Sequence, residues 1–162
     1  MAQKKQGIAR MRVEDLATLA DESEDVFISK INETVRGCTL YDYGRSTVPW
    51  YELDQLINAT HGKPGLRAQI EKKLASLLGT PGISIACKQE ICRRLWIFGS
   101  DASLPSLQKM LLDEDSHVAE AACYAVSTRP SAPADKVLRK GLKRHNDSGL
   151  VAIIKLLGDR RV

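Results

Sequence analysis

The sequence contains few aromatic, proline and glycine residues, and it has no long hydrophobic segment. Its 162 residues include two Trp, four Tyr, two Phe, six Pro and eleven Gly, a composition that favours a helical chain with modest turns. No apolar run approaches the roughly twenty residues that a membrane-spanning helix requires. Because residues 1–5 lack the apolar segment of a secretory signal, we expect a cytoplasmic protein that does not associate with membranes.

Cysteine is also sparse, and its placement argues against disulfides and metal sites. The four cysteines, Cys38, Cys87, Cys92 and Cys123, have the neighbours expected in helix interiors, which indicates reduced, buried thiols. Cys87 and Cys92 are five residues apart, so they point about 140° apart around a helix. Since no histidine lies nearby to complete a zinc set, we predict neither a metal nor another cofactor.

Hydrophobic periodicity predicts several helices in the first half of the chain. Residues 1–12 carry four basic residues and no acidic one, and we interpret them as a mobile basic arm. Apolar residues at helical spacing then indicate two helices between 13 and 37, the second ending at Gly37, an ordered loop at 38–48, and helices at 49–61 and 64–78. We expect residues 13–84 to form an irregular helical N-terminal cap, followed without a break by residues 85–162 in one continuous domain.

The second half of the chain repeats itself at a spacing of about thirty residues. Residues 92–96 align with 122–126 and residues 102–112 with 132–142 at an offset of thirty, whereas 118–126 align with 149–157 at an offset of 31. Each unit of roughly thirty residues contains two helices, a period typical of helical solenoids. Neither helix alone buries a core, but stacked units do.

The segments that carry this repeat are residues 102–111, the acidic turn at 113–116 with the alanine-rich helix through Val126, and residues 134–157. In residues 85–158 the chain resembles the HEAT-repeat family in its short bacterial form. The resemblance implies an all-α, right-handed superhelix of stacked helical hairpins. It further implies a non-catalytic scaffold that binds a protein on the concave face of its second helices. On that face we place five outward-pointing residues as partner contacts: Lys88, Arg94, Glu120, Tyr124 and Lys155.

The sequence contains none of the common catalytic motifs, and we therefore predict that the chain is not an enzyme. The nucleophile elbow, the Walker phosphate loop, the dinucleotide fingerprint and the His-Glu-x-x-His motif are all missing. An alternative is a nucleic-acid-binding protein, because some alkylbase DNA glycosylases are built from HEAT-like repeats. Trp50 with Asp54, and Trp96 with Arg93 and Arg94, could supply the stacking and charge that such chemistry needs. Trp50 could equally anchor the start of its helix beside Pro49.

Basic residues are concentrated near the end of the chain, whose net charge is +4. A cluster of four, Arg139, Lys140, Lys143 and Arg144, could bind phosphate groups. The same residues lie near a predicted helix C-terminus, where cations are favoured without any ligand. The histidines, His61, His117 and His145, lie beside predicted helix ends and receive no role.

The last predicted helix, residues 149–157, has more apolar positions than one neighbouring layer can hide. One side of it should therefore be exposed, which predicts weak self-association through this end or a longer repeat array. Gly158 is expected to end this helix, as Gly99 is expected to end a predicted helix at residues 83–98. The predicted core of the chain consists of Leu74, Leu77, Ile91, Leu95, Leu107, Leu111, Val118, Ala122, Val137, Ile153 and Leu156.

Overall fold

The computed structural model describes residues 12–129, 131–143 and 148–160, and in these ranges the chain is all-α, without a strand. This confirms the fold class at the level of secondary structure. A short 3₁₀ turn (Asp101–Ser103) precedes the sixth helix. The helices are α1 (Val13–Glu22), α2 (Glu24–Thr39), α3 (Val48–Ala59), α4 (Pro64–Leu77), α5 (Ile85–Phe98), α6 (Leu104–Met110), α7 (Ser116–Ser127), α8 (Ala132–Gly141) and α9 (Ser148–Arg160).

The helices form two compact units, the first ending at Ile70 and the second beginning at Glu71, within α4. Of the predicted basic arm, residues 1–11 lie outside the described residues. Arg12 precedes α1 and pairs with Asp15 at 3.4 Å. The sequence predicts a boundary between an irregular cap and regular repeats at 84/85. Ser84 is the N-cap of α5, but the division into cap and repeats stays a prediction.

The first unit packs α1, α2 and α3 against one another. The centre of its core includes the fully buried side chains of Leu16, Phe27, Ile31, Leu53 and Leu56. The predicted end of α2 at Gly37 is wrong, because the helix continues to Thr39. Cys38 extends the buried stripe of Ile31 at helical spacing, and a Cβ on Gly37 would come within 3.3 Å of Pro49. Gly37 therefore allows a close approach of α3 and does not end the helix.

The second unit contains two sets of helices that pack on each other. The helices α5, α7 and α9, which we call the second helices, pack in sequence, α5 on α7 and α7 on α9. The helices α6 and α8 pack on each other, and each also packs on the second helix that follows it. This order of contacts is compatible with a helical repeat.

The predicted core is confirmed at nine positions and needs correction at two. Leu77 and Leu156 are only half-buried, whereas the adjacent Leu78 and Leu157 are buried. In each leucine pair, the buried residue lies four positions after another core residue, Leu74 or Ile153, and so shares its helix face. The other nine predicted core residues are buried: Leu74, Ile91, Leu95, Leu107, Leu111, Val118, Ala122, Val137 and Ile153.

Two serines make the same pair of contacts about thirty residues apart. Ser100 Oγ accepts a hydrogen bond from the Ala102 amide and donates one to the carboxylate of Glu71, at 2.8 Å. Ser131 Oγ accepts from the Ala134 amide and donates to the carboxylate of Asp101, at 3.2 Å. Each serine therefore begins a helical segment and joins it to a carboxylate 29 or 30 positions earlier in the chain.

Two arginines also make equivalent contacts. Arg129 Nη2 donates to the carbonyl of Leu95 in the last turn of α5, at 2.8 Å. Arg160 Nη2 donates to the carbonyl of Val126 in the last turn of α7, at 3.0 Å. Both bonds span 34 residues. The prediction that the last helix ends before Gly158 is wrong, because α9 continues through Gly158 to Arg160. The hydrogen bond from Arg160 to the Val126 carbonyl joins this end of α9 to α7.

Candidate protein-interaction site

A groove of about 290 Å³ lies between α5 and α7 on the surface of the second unit. We call it the α5/α7 groove. Two exposed aromatic side chains, Trp96 from α5 and Tyr124 from α7, contribute to it. Its lining residues are Gln89, Glu90, Arg93, Trp96, Ala121 and Tyr124.

Helical spacing places these residues on one side of each helix. On α5, Gln89, Arg93 and Trp96 follow at i, i+4 and i+7, and on α7, Ala121 and Tyr124 follow at i and i+3, so each set shares a face. The core positions of both helices lie on other faces, which pack into the unit. The groove is therefore formed by the sides of the two helices that packing leaves at the surface.

Side-chain caps fix the start of both helices. Ser84 Oγ accepts from the Cys87 amide at 3.0 Å at the beginning of α5. At the beginning of α7, one carboxylate oxygen of Asp115 accepts from the amides of His117 and Val118, at 2.9 and 3.1 Å. Each cap satisfies amides that have no partner within the helix. The caps therefore stabilise the first turns of the two helices that carry the groove residues.

The charges in the groove are largely compensated within α5. The carboxylate of Glu90 pairs with Arg94 and lies 3.7 Å from Arg93. Arg94 also donates to the carbonyl of Glu90, at 3.4 Å. The Arg93 side chain remains mostly exposed, and an exposed ion pair at that distance contributes little energy. Arg93 therefore contributes an exposed cation to the lining of the groove.

The predicted partner contacts are only partly gathered at this groove. Tyr124 lines it, and Glu120 is half-buried on the same helix. Lys88 forms an ion pair with Asp113 at 2.7 Å, and Lys155 is exposed on α9. Both therefore lie on the second helices without lining the groove.

The prediction that Arg94 points outward is wrong, because only 8% of the residue is exposed. Its pairing with Glu90, one turn earlier, holds the guanidinium against its own helix. The neighbouring residues Arg93 and Trp96 contribute to the groove instead, although the sequence linked them only to nucleic acid. The sequence analysis does not identify Gln89 and Ala121 as groove residues. Helical spacing could have indicated them, because Gln89 lies four residues before Arg93 and Ala121 three residues before Tyr124.

The basic cluster lies on α8 and the turn that follows it. Arg139, Lys140 and Lys143 are exposed, whereas Arg144 lies outside the described residues. Lys140 also lines a second groove of about 440 Å³ between α6 and α8, together with Lys109 and Lys136. Lys140 donates to the amide oxygen of Gln108 at 3.1 Å. Cationic side chains from two helices therefore border one surface depression.

The tryptophan considered for base stacking is a core residue. Trp50 is almost fully buried in the first unit, and its ring meets Tyr41 edge to face at a centroid distance of 6.0 Å. Asp54, one turn later, is half-buried. A buried ring cannot stack on a nucleobase, so the interpretation of Trp50 as a helix anchor describes its position better.

All four cysteines are free and buried, as predicted. Burial raises the pKa of Cys87 to about 11 and those of Cys92 and Cys123 to about 12, from an ordinary value near 9. These thiols are therefore protonated at neutral pH and are weak nucleophiles. His61 and His117 are exposed, and His145 lies outside the described residues. No group of three potential metal ligands occurs in the described ranges.

Comparisons of the chain with protein-family models, with curated proteins and with solved structures found no match. Within the described part of the chain, each helix is too short or too polar to cross a membrane.

Proposed function

We propose that the chain is a non-catalytic protein-interaction module of the HEAT-repeat type. In this proposal, α5 to α9 stack as helical hairpins in a right-handed superhelix, and the second helices bind a partner on their concave face. The observation that carries the proposal is the α5/α7 groove, because it combines an exposed Trp and an exposed Tyr on adjacent second helices.

The recurring contacts support the repeat part of the proposal. The serine contacts to Glu71 and Asp101 and the arginine contacts to Leu95 and Val126 recur at nearly constant sequence distance. A solenoid requires each unit to meet the preceding one in the same way. The sequence offset of 30 or 31 and the spacing of these contacts are therefore consistent with one repeat architecture.

The aromatic side chains support the binding part of the proposal. Trp and Tyr are enriched in protein interfaces and often contribute a large part of the binding energy, because they bury much apolar surface and keep a polar group for a hydrogen bond. Trp96 and Tyr124 remain exposed although neighbouring positions on the same helices are fully buried. A partner would remove this apolar surface from water.

The groove also suggests the chemistry of the partner segment. Trp96 and Tyr124 favour an apolar anchor side chain, and the exposed Arg93 favours a carboxylate beside it. We therefore expect a peptide segment that carries an aromatic or aliphatic residue next to Asp or Glu.

Affinity capture with matched variants tests the proposal. Trp96→Ala and Tyr124→Ala should each weaken capture of the same protein by at least about tenfold, the scale of an interface hot spot. Tyr51→Ala is the control, because Tyr51 is an equally exposed tyrosine on α3. Equal capture by all three variants and the wild type would rule out the α5/α7 groove.

Binding to nucleic acid is a second candidate, favoured by the lysines that border the α6/α8 groove. Lys109, Lys136 and Lys140 could neutralise phosphates, and such binding weakens steeply with salt. A salt titration of duplex DNA binding tests it with Lys136→Glu, against Lys72→Glu, an exposed lysine on α4, as control. Binding that falls with salt and is lost only in Lys136→Glu would favour this function, and an absence of DNA binding would exclude it.

A further inference from the structure

The helices α6 and α8 lie side by side and run in the same direction. At their beginnings, Ser131, the N-cap of α8, donates a hydrogen bond to the carboxylate of Asp101 in the turn before α6, at 3.2 Å. Near their ends, Lys140 Nζ donates to the amide oxygen of Gln108 at 3.1 Å. The α6/α8 groove of about 440 Å³ therefore follows two parallel helices.

The lining of this groove is positively charged. Lys109 from α6 and Lys136 and Lys140 from α8 are exposed, whereas Asp101 is the one carboxylate among the described lining residues. Within the described ranges, Lys109 and Lys136 form no ion pair, and Lys140 bonds to a neutral amide. The lining therefore carries three cations against one carboxylate.

Helix stability accounts for only part of this charge. Lys109 and Lys140 lie in the last turns of α6 and α8, where the helix dipole favours a cation without any ligand. Lys136 lies in the middle of α8, and the adjacent Asp135 pairs with Arg160. Because Lys136 and Lys140 are like charges four residues apart on one helix, they destabilise it slightly. An anion bound between them would remove this repulsion.

Most of the other lining residues are apolar. Two of them, Pro105 and Pro133, are exposed at the beginnings of α6 and α8, and two more, Leu104 and Val137, lie almost buried. An aliphatic side chain that rests on this surface leaves water, which favours binding. No aromatic residue is found in the described lining, so the groove lacks the stacking surface that single-stranded nucleic acids use.

We propose that the α6/α8 groove binds an acidic protein segment in which Asp or Glu alternates with an aliphatic residue. In an extended segment, alternate side chains are about 6.6 Å apart, which is close to the rise of about 6 Å between Lys136 and Lys140 along α8. The segment also has N–H groups to donate to Asp101, whereas the phosphate backbone of DNA offers only acceptors. No described residue lines both this groove and the α5/α7 groove, so the two surfaces are separate.

Fluorescence anisotropy with a labelled synthetic peptide tests the inference. The probe carries Glu-Val-Glu-Val-Glu between Gly-Ser linkers, and two matched probes carry Gln in place of Glu or Ser in place of Val. The wild type should bind the first probe at least about tenfold more tightly than either matched probe. Lys136→Glu and Lys109→Glu, one on each helix, should each weaken binding by at least about tenfold. Lys72→Glu, at an exposed position on α4, is the matched control and should bind like the wild type.

Further arms of the experiment separate this surface from other binding sites. The melting temperatures of the lysine variants should equal that of the wild type, and Trp96→Ala should bind the acidic probe normally. Loss of binding in Trp96→Ala would place the peptide in the α5/α7 groove and overturn the inference. Tighter binding of duplex DNA than of the acidic probe, lost in Lys136→Glu, would assign the groove to nucleic acid instead.

The peptide measurements also state what contradicts the proposal. No binding of the acidic probe at millimolar concentration, or equal binding by the wild type and both lysine variants, would overturn it. Equal affinity for the Gln probe would show that the lysines select no carboxylate. Equal affinity for the Ser probe would show that the apolar lining contacts no side chain of the peptide, and either result would also overturn it.

Discussion

Arg160 Nη2 donates a hydrogen bond to the carbonyl of Val126 across 34 residues of sequence, and thereby joins the end of α9 to the last turn of α7. The same nitrogen lies 2.6 Å from the carbonyl oxygen of Ser127, and Arg160 also pairs with Asp135. Carbonyls in the last turn of a helix lack partners within the helix, and a cation there is favoured by the helix dipole. One side chain therefore holds α7, α8 and α9 together.

Replacing Arg160 should destabilise the second unit. Arg160→Ala removes several hydrogen bonds from a charged donor, and we expect a loss of about 1.5–3 kcal/mol in the free energy of unfolding. Urea denaturation followed by circular dichroism measures this loss. Lys155→Ala, at an exposed position on the same helix, should change stability by less than about 0.5 kcal/mol. A similar loss in both variants would mean that the Arg160 contacts contribute nothing specific.

Gly99 should not tolerate a side chain. A Cβ at this position would clash with the Leu95 carbonyl and with Arg129 Nη2, which binds that carbonyl. Gly99→Ala should therefore cost about 1–3 kcal/mol of stability, the scale of an overpacked site. Gly65→Ala is the control, because Gly65 lies in α4 with open space around it and should gain about 0.5–1 kcal/mol of stability. A neutral Gly99→Ala variant contradicts the close contact.

The central hydrophobic position of α6 should be sensitive to truncation. Leu107 is fully buried, so Leu107→Ala should lower the free energy of unfolding by about 2–5 kcal/mol. Leu112, shortly after the same helix, is substantially exposed, and Leu112→Ala should cost less than about 1 kcal/mol. Chemical denaturation of the two variants measures the difference, and equal losses would argue against burial of α6.

Alkaline pH should destabilise the fold through its buried thiols. Burial, assisted by the Asp113 carboxylate, raises the pKa of Cys92 to about 12, whereas the unfolded thiol ionises near 9. The unfolded chain therefore releases this proton first, and the stabilisation present below pH 9 is lost as the pH rises towards 12. From pH 8 to pH 10, the free energy of unfolding of the wild type should fall by roughly 1 kcal/mol more than that of Cys92→Ala. Parallel pH profiles of the two proteins would contradict the raised pKa.

The sequence predicts the helices well because their signals are local. Apolar spacing of three and four residues, together with caps such as Ser84 and Asp115, places the helices close to their observed positions. The predicted end of α2 is wrong because a glycine at this position usually indicates a helix C-terminus. Here Gly37 instead leaves space for Pro49 of the next helix. That contact is tertiary, and the spacing of residues in α2 carries no information about it.

The candidate site is predicted less well because it depends on which side of each helix is covered. Trp50 and Trp96 look equivalent in the sequence, but packing buries the first and leaves the second exposed. Arg94 falls between predicted core positions, but its side chain is buried. It forms an ion pair with Glu90, which lies one turn earlier on the same helix. Tyr124 is predicted to be exposed because it falls between the buried positions of its helix, and the structure leaves it 53% exposed.

Site-specific photo-crosslinking at position 124 tests the proposed binding face most directly. A benzophenone amino acid in place of Tyr124 should yield one discrete adduct with a protein, and the same substitution at Tyr51 should not yield it. Loss of the adduct in a Trp96→Ala background would show that both sides of the groove contact the partner. An identical adduct pattern from positions 124 and 51, or adducts with nucleic acid alone, would contradict the account.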